Sequence, residues 1–295
     1  MISDSRIMHR HSIILSIAVI SILWLSSCST DSHQSSTKFT IPHRDTVQFT
    51  PKIFTVSLPS CQDDSNNCAS VSIRWFEAQK PDLYIHTNLS YKRLVPFINS
   101  AVHKAILENL RWDITNFQDN DTASMESLAK AFLNDYLRDR LEANNADPIP
   151  WNCSIEVSVE HNTQYFITLR SSSYIYTGAA HPLQTTNYYV IATHNPRFLT
   201  LHDIVKDTAD VRTLAEMELR RMYDIPLYHD LRNHGFMLAS NVLPLSSNFA
   251  FTRYGLTLVY NPYDISPYSM GMHTIQLPYN ALTGYLRKDI VKSVQ

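Results

Sequence analysis

The chain reads as an α+β protein, built as two small α+β domains, each a mostly antiparallel sheet with packed helices. Three observations predict this class. The hydrophobic period switches several times between two and 3.6 along the sequence. Strand-like and helix-like runs succeed one another without the regular β-α-β alternation of a parallel fold. The 295 residues, less an N-terminal stretch that does not read as fold, suit two modest domains or one larger one.

Val71, Ile73 and Trp75 alternate with polar neighbours, as do Leu83 and Ile85, so two strands are expected first. Pro96 fits the first turn of a helix carrying Ile98, Ala101, Val102, Ala105, Ile106 and Leu110. A second helix is expected over 122–143, with Met125, Leu128, Phe132, Tyr136 and Leu141 on one face. The DPIP break at 147–150 ends it, and strands are expected at 155–159, 165–169 and 188–192. A helix at about 208–223 carries Val211, Leu214, Met217 and either Leu219 or Met222. Phe249–Tyr260 and His273–Leu277 read as strands, and Pro278 starts a last helix over 279–291, with Leu282, Tyr285 and Leu286 inward.

The first residues carry a different signal. Arg6, His9, Arg10 and His11 precede the apolar run Ile13–Leu25, the layout of a secretory signal. The run ends Leu25-Ser26-Ser27-Cys28, which resembles a bacterial lipobox. The expectation is a signal peptide over 1–27, a lipid on Cys28 and a polar tether over 28–50. Ser29 comes after the cysteine where an inner-membrane lipoprotein would have aspartate, so the expected place is the outer membrane, facing the periplasm. Without residues 1–27 the chain keeps 23 basic and 26 acidic residues, a net charge of −3 with no basic run. That gives no footprint for nucleic acid. Cys61, Cys68 and Cys153 then lie in an oxidising compartment, where a disulfide is expected. Cys61 and Cys68 would close a polar loop, Cys153 could pair with either, and one cysteine is left over.

The sequence holds no H-E-x-x-H, G-x-S-x-G or P-loop, so no metal, cofactor or catalytic residue is assigned. His181, His202 and Asp203 are the candidates for a glycan-acting hydrolase or transferase, the alternative reading; a purely structural envelope module is the other. His181 in YTGAAHP is otherwise a residue that bonds backbone in a tight turn. Only 5 glycines occur, against an average use of about 7 %. Gly178, Gly255 and Gly271 are therefore expected where positive φ, a bulge or close approach requires them. The stretch YNPYDISPYSMGMH (260–273) sets Pro262, Tyr263, Pro267 and Tyr268 in one loop. Its rings either anchor a partner or fold inward to staple a corner.

YTGAAHP (176–182), FLTLHDIV (198–205) and the run from Phe251 to Leu282 occur in an order that resembles the extracytoplasmic part of RsiV-like proteins. CASVSIRWF (68–76), with the helix and two strands expected after it, resembles the smaller domain that usually precedes that part. The resemblance implies a first domain over 51–192, of the kind also found with polysaccharide deacetylases, and a C-terminal domain of unknown function over 193–295. RsiV is an anti-sigma factor whose outer part receives lysozyme. The resemblance makes Pro262, Tyr263, Pro267 and Tyr268 candidate partner-binding residues, with Gly178 and His181 as a candidate turn or site. It implies a lysozyme-like muramidase or a peptidoglycan component as partner. Two departures limit the transfer. Ala179 stands where the family has a second glycine. The short leader before the apolar run offers no cytoplasmic segment to hold a sigma factor, so the anti-sigma role is not expected.

Overall fold

Phe54 and Val56 in β1 (Gln48–Ser57) and Val71 and Ile73 in β2 (Ala69–Gln79) alternate with polar neighbours, and the two strands form an antiparallel pair. The computed structural model describes residues 47–80, 91–111, 124–143, 148–288 and 290, all within one unit spanning Arg44–Gln295. The expected strand around Leu83 and Ile85 lies outside the described residues. The loop joining β1 to β2 is closed by a disulfide between Cys61 and Cys68. Cys153 is the buried free thiol left over, and burial pushes its pKa up to about 12.

Two helices come next, α1 (Tyr91–Leu110) and α2 (Met125–Glu142). Pro96 is not in the first turn of α1 but at its sixth residue. Tyr91 and Leu94 are already buried, so their packing extends the helix upstream of the proline. Pro96 itself faces solvent, and it removes one backbone donor from the ladder. On α2, Leu128, Phe132 and Tyr136 are buried as expected, whereas Leu141 is 76 % exposed. Five residues beyond Tyr136, a helical period has turned Leu141 away from that face. Ser124 caps the N-terminus by accepting from the Ser127 N–H at 3.1 Å.

The strands β3 (Trp151–Asn162), β4 (Phe166–Tyr176), β5 (Leu183–Ala192) and the short β6 (Arg197–Phe198) complete a six-stranded sheet in sequential order. All neighbours are antiparallel except β2 and β3, which run parallel. Parallel neighbours need a crossover, and α1 with α2 supplies it. The helices cover one face of the sheet, where Ile73, Ile155, Ile167, Leu169 and Ile191 join Leu94, Ile98, Leu128 and Tyr136 in one core.

Beyond β6 come α3 (Leu201–Ile204), α4 (Thr208–Met222), β7 (Phe249–Thr252), β8 (Gly255–Tyr260), β9 (His273–Pro278) and α5 (Tyr279–Leu282). The single strand expected over Phe249–Tyr260 is a hairpin, because Arg253 and Tyr254 turn the chain between β7 and β8. Gly255 starts β8 at φ 130°, where an added Cβ would lie 2.2 Å from the Leu277 carbonyl oxygen. The expected long last helix is interrupted: α5 stops at Leu282, Gly284 takes φ 94° two residues on, and helical backbone returns at Lys288 and Ile290. Val211 and Leu219 point inward on α4, while Met217 and Met222 stay exposed. The buried face of α4 is set by Val211, Ala215 and Leu219.

The second core gathers Val211, Leu219, Phe251, Leu256, Leu258, Ile275 and Leu286, and it also takes Phe166 and Val190 from the six-stranded sheet. Successive residues of β4 therefore serve opposite cores: Ile167 faces the helices and Phe166 packs on Phe251 at 5.1 Å. Thr168 donates to the Phe251 carbonyl at 2.7 Å. Asn248 and Asn261 hold the outer side of β5: Asn248 accepts from the Tyr188 N–H at 2.9 Å and donates to the Thr186 carbonyl at 2.7 Å. Asn261 accepts from the Thr186 N–H at 2.8 Å. Two side-chain amides thus stand where a neighbouring strand would pair.

Candidate functional site

The loop from Tyr260 to His273 is fixed by its own residues. Pro262 is buried, and Asp264 accepts from the Asn261 N–H at 2.7 Å. The Tyr263 N–H donates to the Ser266 carbonyl at 3.1 Å, which closes a turn with Tyr263 at φ 75°. Ile265 and Ser266 are buried beneath it, and Gly271 ends the loop at φ 72°.

Beneath the loop sits a buried polar chain. His273 contacts the Ser266 hydroxyl through Nε2 at 2.5 Å and the Tyr223 hydroxyl through Nδ1 at 2.6 Å. A neutral imidazole accepts from one hydroxyl and donates to the other, so both partners are satisfied. Burial holds the His273 pKa below the ordinary histidine value.

Above the loop, three residues singled out in the sequence come together. The His181 ring stacks on Tyr268 with centroids 3.5 Å apart and planes 10° from parallel. His181 Nε2 lies 3.1 Å from the Tyr263 hydroxyl. Its Nδ1 approaches the Pro182 carbonyl at 3.4 Å, the turn contact expected of it. The turn reaches this position with Gly178 at φ 81° alone; Ala179 is exposed and does not take positive φ. Tyr263 is 52 % exposed, while Tyr268 is half-buried. The loop is both a braced corner and a surface of rings.

His202 and Asp203 are not part of this cluster. Asp203 accepts from the Thr200 N–H and hydroxyl, each at 2.8 Å, and from Arg197 at 2.7 Å, capping α3. The Arg197 guanidinium and then the Thr200 groups hold its carboxyl well below the usual carboxylate range. No hydrogen bond or ring contact among the described residues joins His181 to either of them. Nor do the described residues contain a group of three or more His, Cys, Asp or Glu able to hold a metal ion.

The loop also walls an open groove of about 620 Å³, whose floor is the helix-free face of the six-stranded sheet. Register builds that floor. Arg74 stands opposite Glu156 in the parallel pair and binds it at 3.1 Å; Ser172 and then Thr186 continue the row. Ser154, Tyr174 and Gln184 form the next row, and Arg170 lies two residues along β4 from Ser172. Tyr268, Met270 and Met272 overhang from the loop. The sequence pattern did not reveal this floor. Its signal was present in Ser70, Ser72 and Arg74, in Asn152, Ser154 and Glu156, and in Arg170, Ser172 and Tyr174. Each set is a polar alternation on one strand, and only cross-strand register assembles them.

Residues 203–280 match DUF3298, a protein family of unknown function. Residues 82–184 match the family described as deacetylase PdaC. The chain is similar to a solved DUF3298 family member from Bacteroides fragilis, at 19 % identity and a TM-score of 0.65, covering 84 % of this chain and 97 % of that one. It is also similar to a DUF3298 family protein from Pseudomonas aeruginosa, at 20 % identity and a TM-score of 0.57, covering 83 % and 96 % of the two chains. At this identity the likeness speaks to the fold. No curated protein matches the chain. The matches agree with the RsiV-like resemblance, and they divide the ring cluster between them. His181 lies in the PdaC-like region, whereas Tyr263 and Tyr268 lie in the DUF3298 region.

Proposed function

We propose that this chain is a non-enzymatic binding module of the cell envelope, held by a lipid on Cys28 to the outer membrane and facing the periplasm. Its partner, on this reading, is a lysozyme-like muramidase docking on the ring cluster of Tyr263, Tyr268 and His181. The lipobox-like Leu25–Cys28 supports the anchor, and the family resemblance supports the kind of partner.

The observation that carries the binding role is Tyr263. A bulky residue in the left-handed region is a backbone outlier that packing must sustain. Here it holds a large aromatic ring out toward solvent, 52 % exposed, beside a stacked pair. Rigid tyrosines bury large area on binding at little entropic cost. A mildly acidic chain adds weak steering of a cationic partner.

The test is calorimetric titration of the protein with a purified lysozyme. Binding with a Kd well below about 1 mM is expected. Tyr263→Ala combined with Tyr268→Ala should weaken it at least about tenfold while circular dichroism stays unchanged. No binding below about 1 mM would remove the muramidase as partner.

A further inference from the structure

We propose that the groove beside the ring cluster is a second site, one that binds a carboxylate-bearing saccharide. The groove shares Tyr268 with the ring cluster, but the inference does not depend on the muramidase reading.

The floor is the face of a sheet, not its edge. The backbone groups of β3 and β4 are spent on their neighbours in the ladder. An extended peptide lying there gains none of the main-chain bonds that strand addition supplies. Recognition must come from side chains. Ser154, Ser172 and Thr186 present hydroxyls and Gln184 an amide, spaced by strand register. Each of these groups both donates and accepts, as a polyol requires. Tyr268 is pinned against His181 and lines the groove, a rigid surface for the apolar face of a sugar ring.

Charge narrows the class. Of the lining residues only Arg74, Arg170 and Glu156 are charged, a balance of +1 in a chain whose net charge is −2. Arg74 is matched by Glu156 at 3.1 Å. Arg170 makes no hydrogen bond or ion pair among the described residues; it lies near Tyr188, which also has Glu160 nearby. An unpaired guanidinium on a floor of hydroxyls is the donor fork that a carboxylate takes in bidentate fashion. The volume of about 620 Å³ falls within the range of about 300–1,000 Å³ of small-ligand sites.

The experiment follows backbone amide signals by NMR with three probes at up to about 10 mM: glucuronic acid, an acidic tetragalacturonide and neutral chitotetraose. The acidic probes are expected to shift signals of β3, β4 and β5 saturably, more weakly as salt is raised. Arg170→Gln, at an exposed position, should weaken the acidic probes about 10- to 100-fold and leave lysozyme titration unchanged. A tetramer tighter than the monomer assigns the groove to a polymer, and equal affinity assigns it to a free sugar acid; both uphold the proposal. It is overturned if chitotetraose binds as tightly as the acidic probes, if Arg170→Gln changes nothing, or if no probe shifts these signals.

Discussion

Tyr263 holds φ 75°, where an L-residue with a Cβ costs about 1–2 kcal/mol. Glycine takes that backbone without the Cβ penalty. Tyr263→Gly should therefore be more stable than Tyr263→Ala by about 1 kcal/mol, read as the shift in denaturant midpoint. Both variants lose the ring and its contact with His181, so both should lose the same share of partner affinity. A Gly variant no more stable than the Ala variant would mean that the turn around Ser266 relieves the strain unaided. The same residue shows how far the sequence could be read. Pro262, Tyr263, Pro267 and Tyr268 stand out by composition, and glycine scarcity marks Gly178, Gly255 and Gly271, all of which take positive φ. The left-handed backbone of Tyr263 does not stand out, because a hydrogen bond three residues on sets it rather than any local preference.

Among the elements, β5 shows what register can hide. Its outer side is paired by β6 only at Ile191 and Ala192. Upstream, Asn248 and Asn261 take over, with amide groups from residues far along the chain. Asn248→Ala strips the Tyr188 N–H of its acceptor and the Thr186 carbonyl of its donor, at a cost of about 2 kcal/mol. Chemical denaturation should show that loss, and the Tyr188 amide should exchange faster with solvent. An unchanged exchange rate would place the hold on Asn261 instead. Strand and helix types were legible from periodicity at β2, β3, α1 and α2. The hairpin at Arg253–Tyr254 and the groove floor were not, since a strand-to-strand turn without glycine or proline at its centre leaves no local mark. A floor made of one face from four strands needs pairing that no window of sequence contains.

For the molecule as a whole, His273 ties three parts together: the end of α4 through Tyr223, the start of β9, and the loop through Ser266. Its folded pKa lies below that of the unfolded chain, near 6.5, because burial disfavours the cation. Between the two values the unfolded chain binds more protons, so stability falls as pH falls. The contribution is fully present above about pH 6.5 and is lost as the pH drops through the folded value. Thermal melts from pH 7.5 to 5 should show this decline, and His273→Gln should flatten it while lowering stability at neutral pH. Equal slopes in both proteins would assign the decline to other groups. The fold class itself was predicted correctly, since sheets of six and three strands with packed helices make an α+β protein.

The ring cluster draws His181 from one matched region and its two tyrosines from the other. Inheritance of either region alone transmits half of it. A chain that gained only the C-terminal region would present Tyr263 without its histidine, and one that gained only the first would leave His181 with no ring to stack upon. The cluster is then a property of the pairing between the two regions, assembled at their seam. Substitutions there should travel together across the seam, a histidine change on one side answered by a tyrosine change on the other.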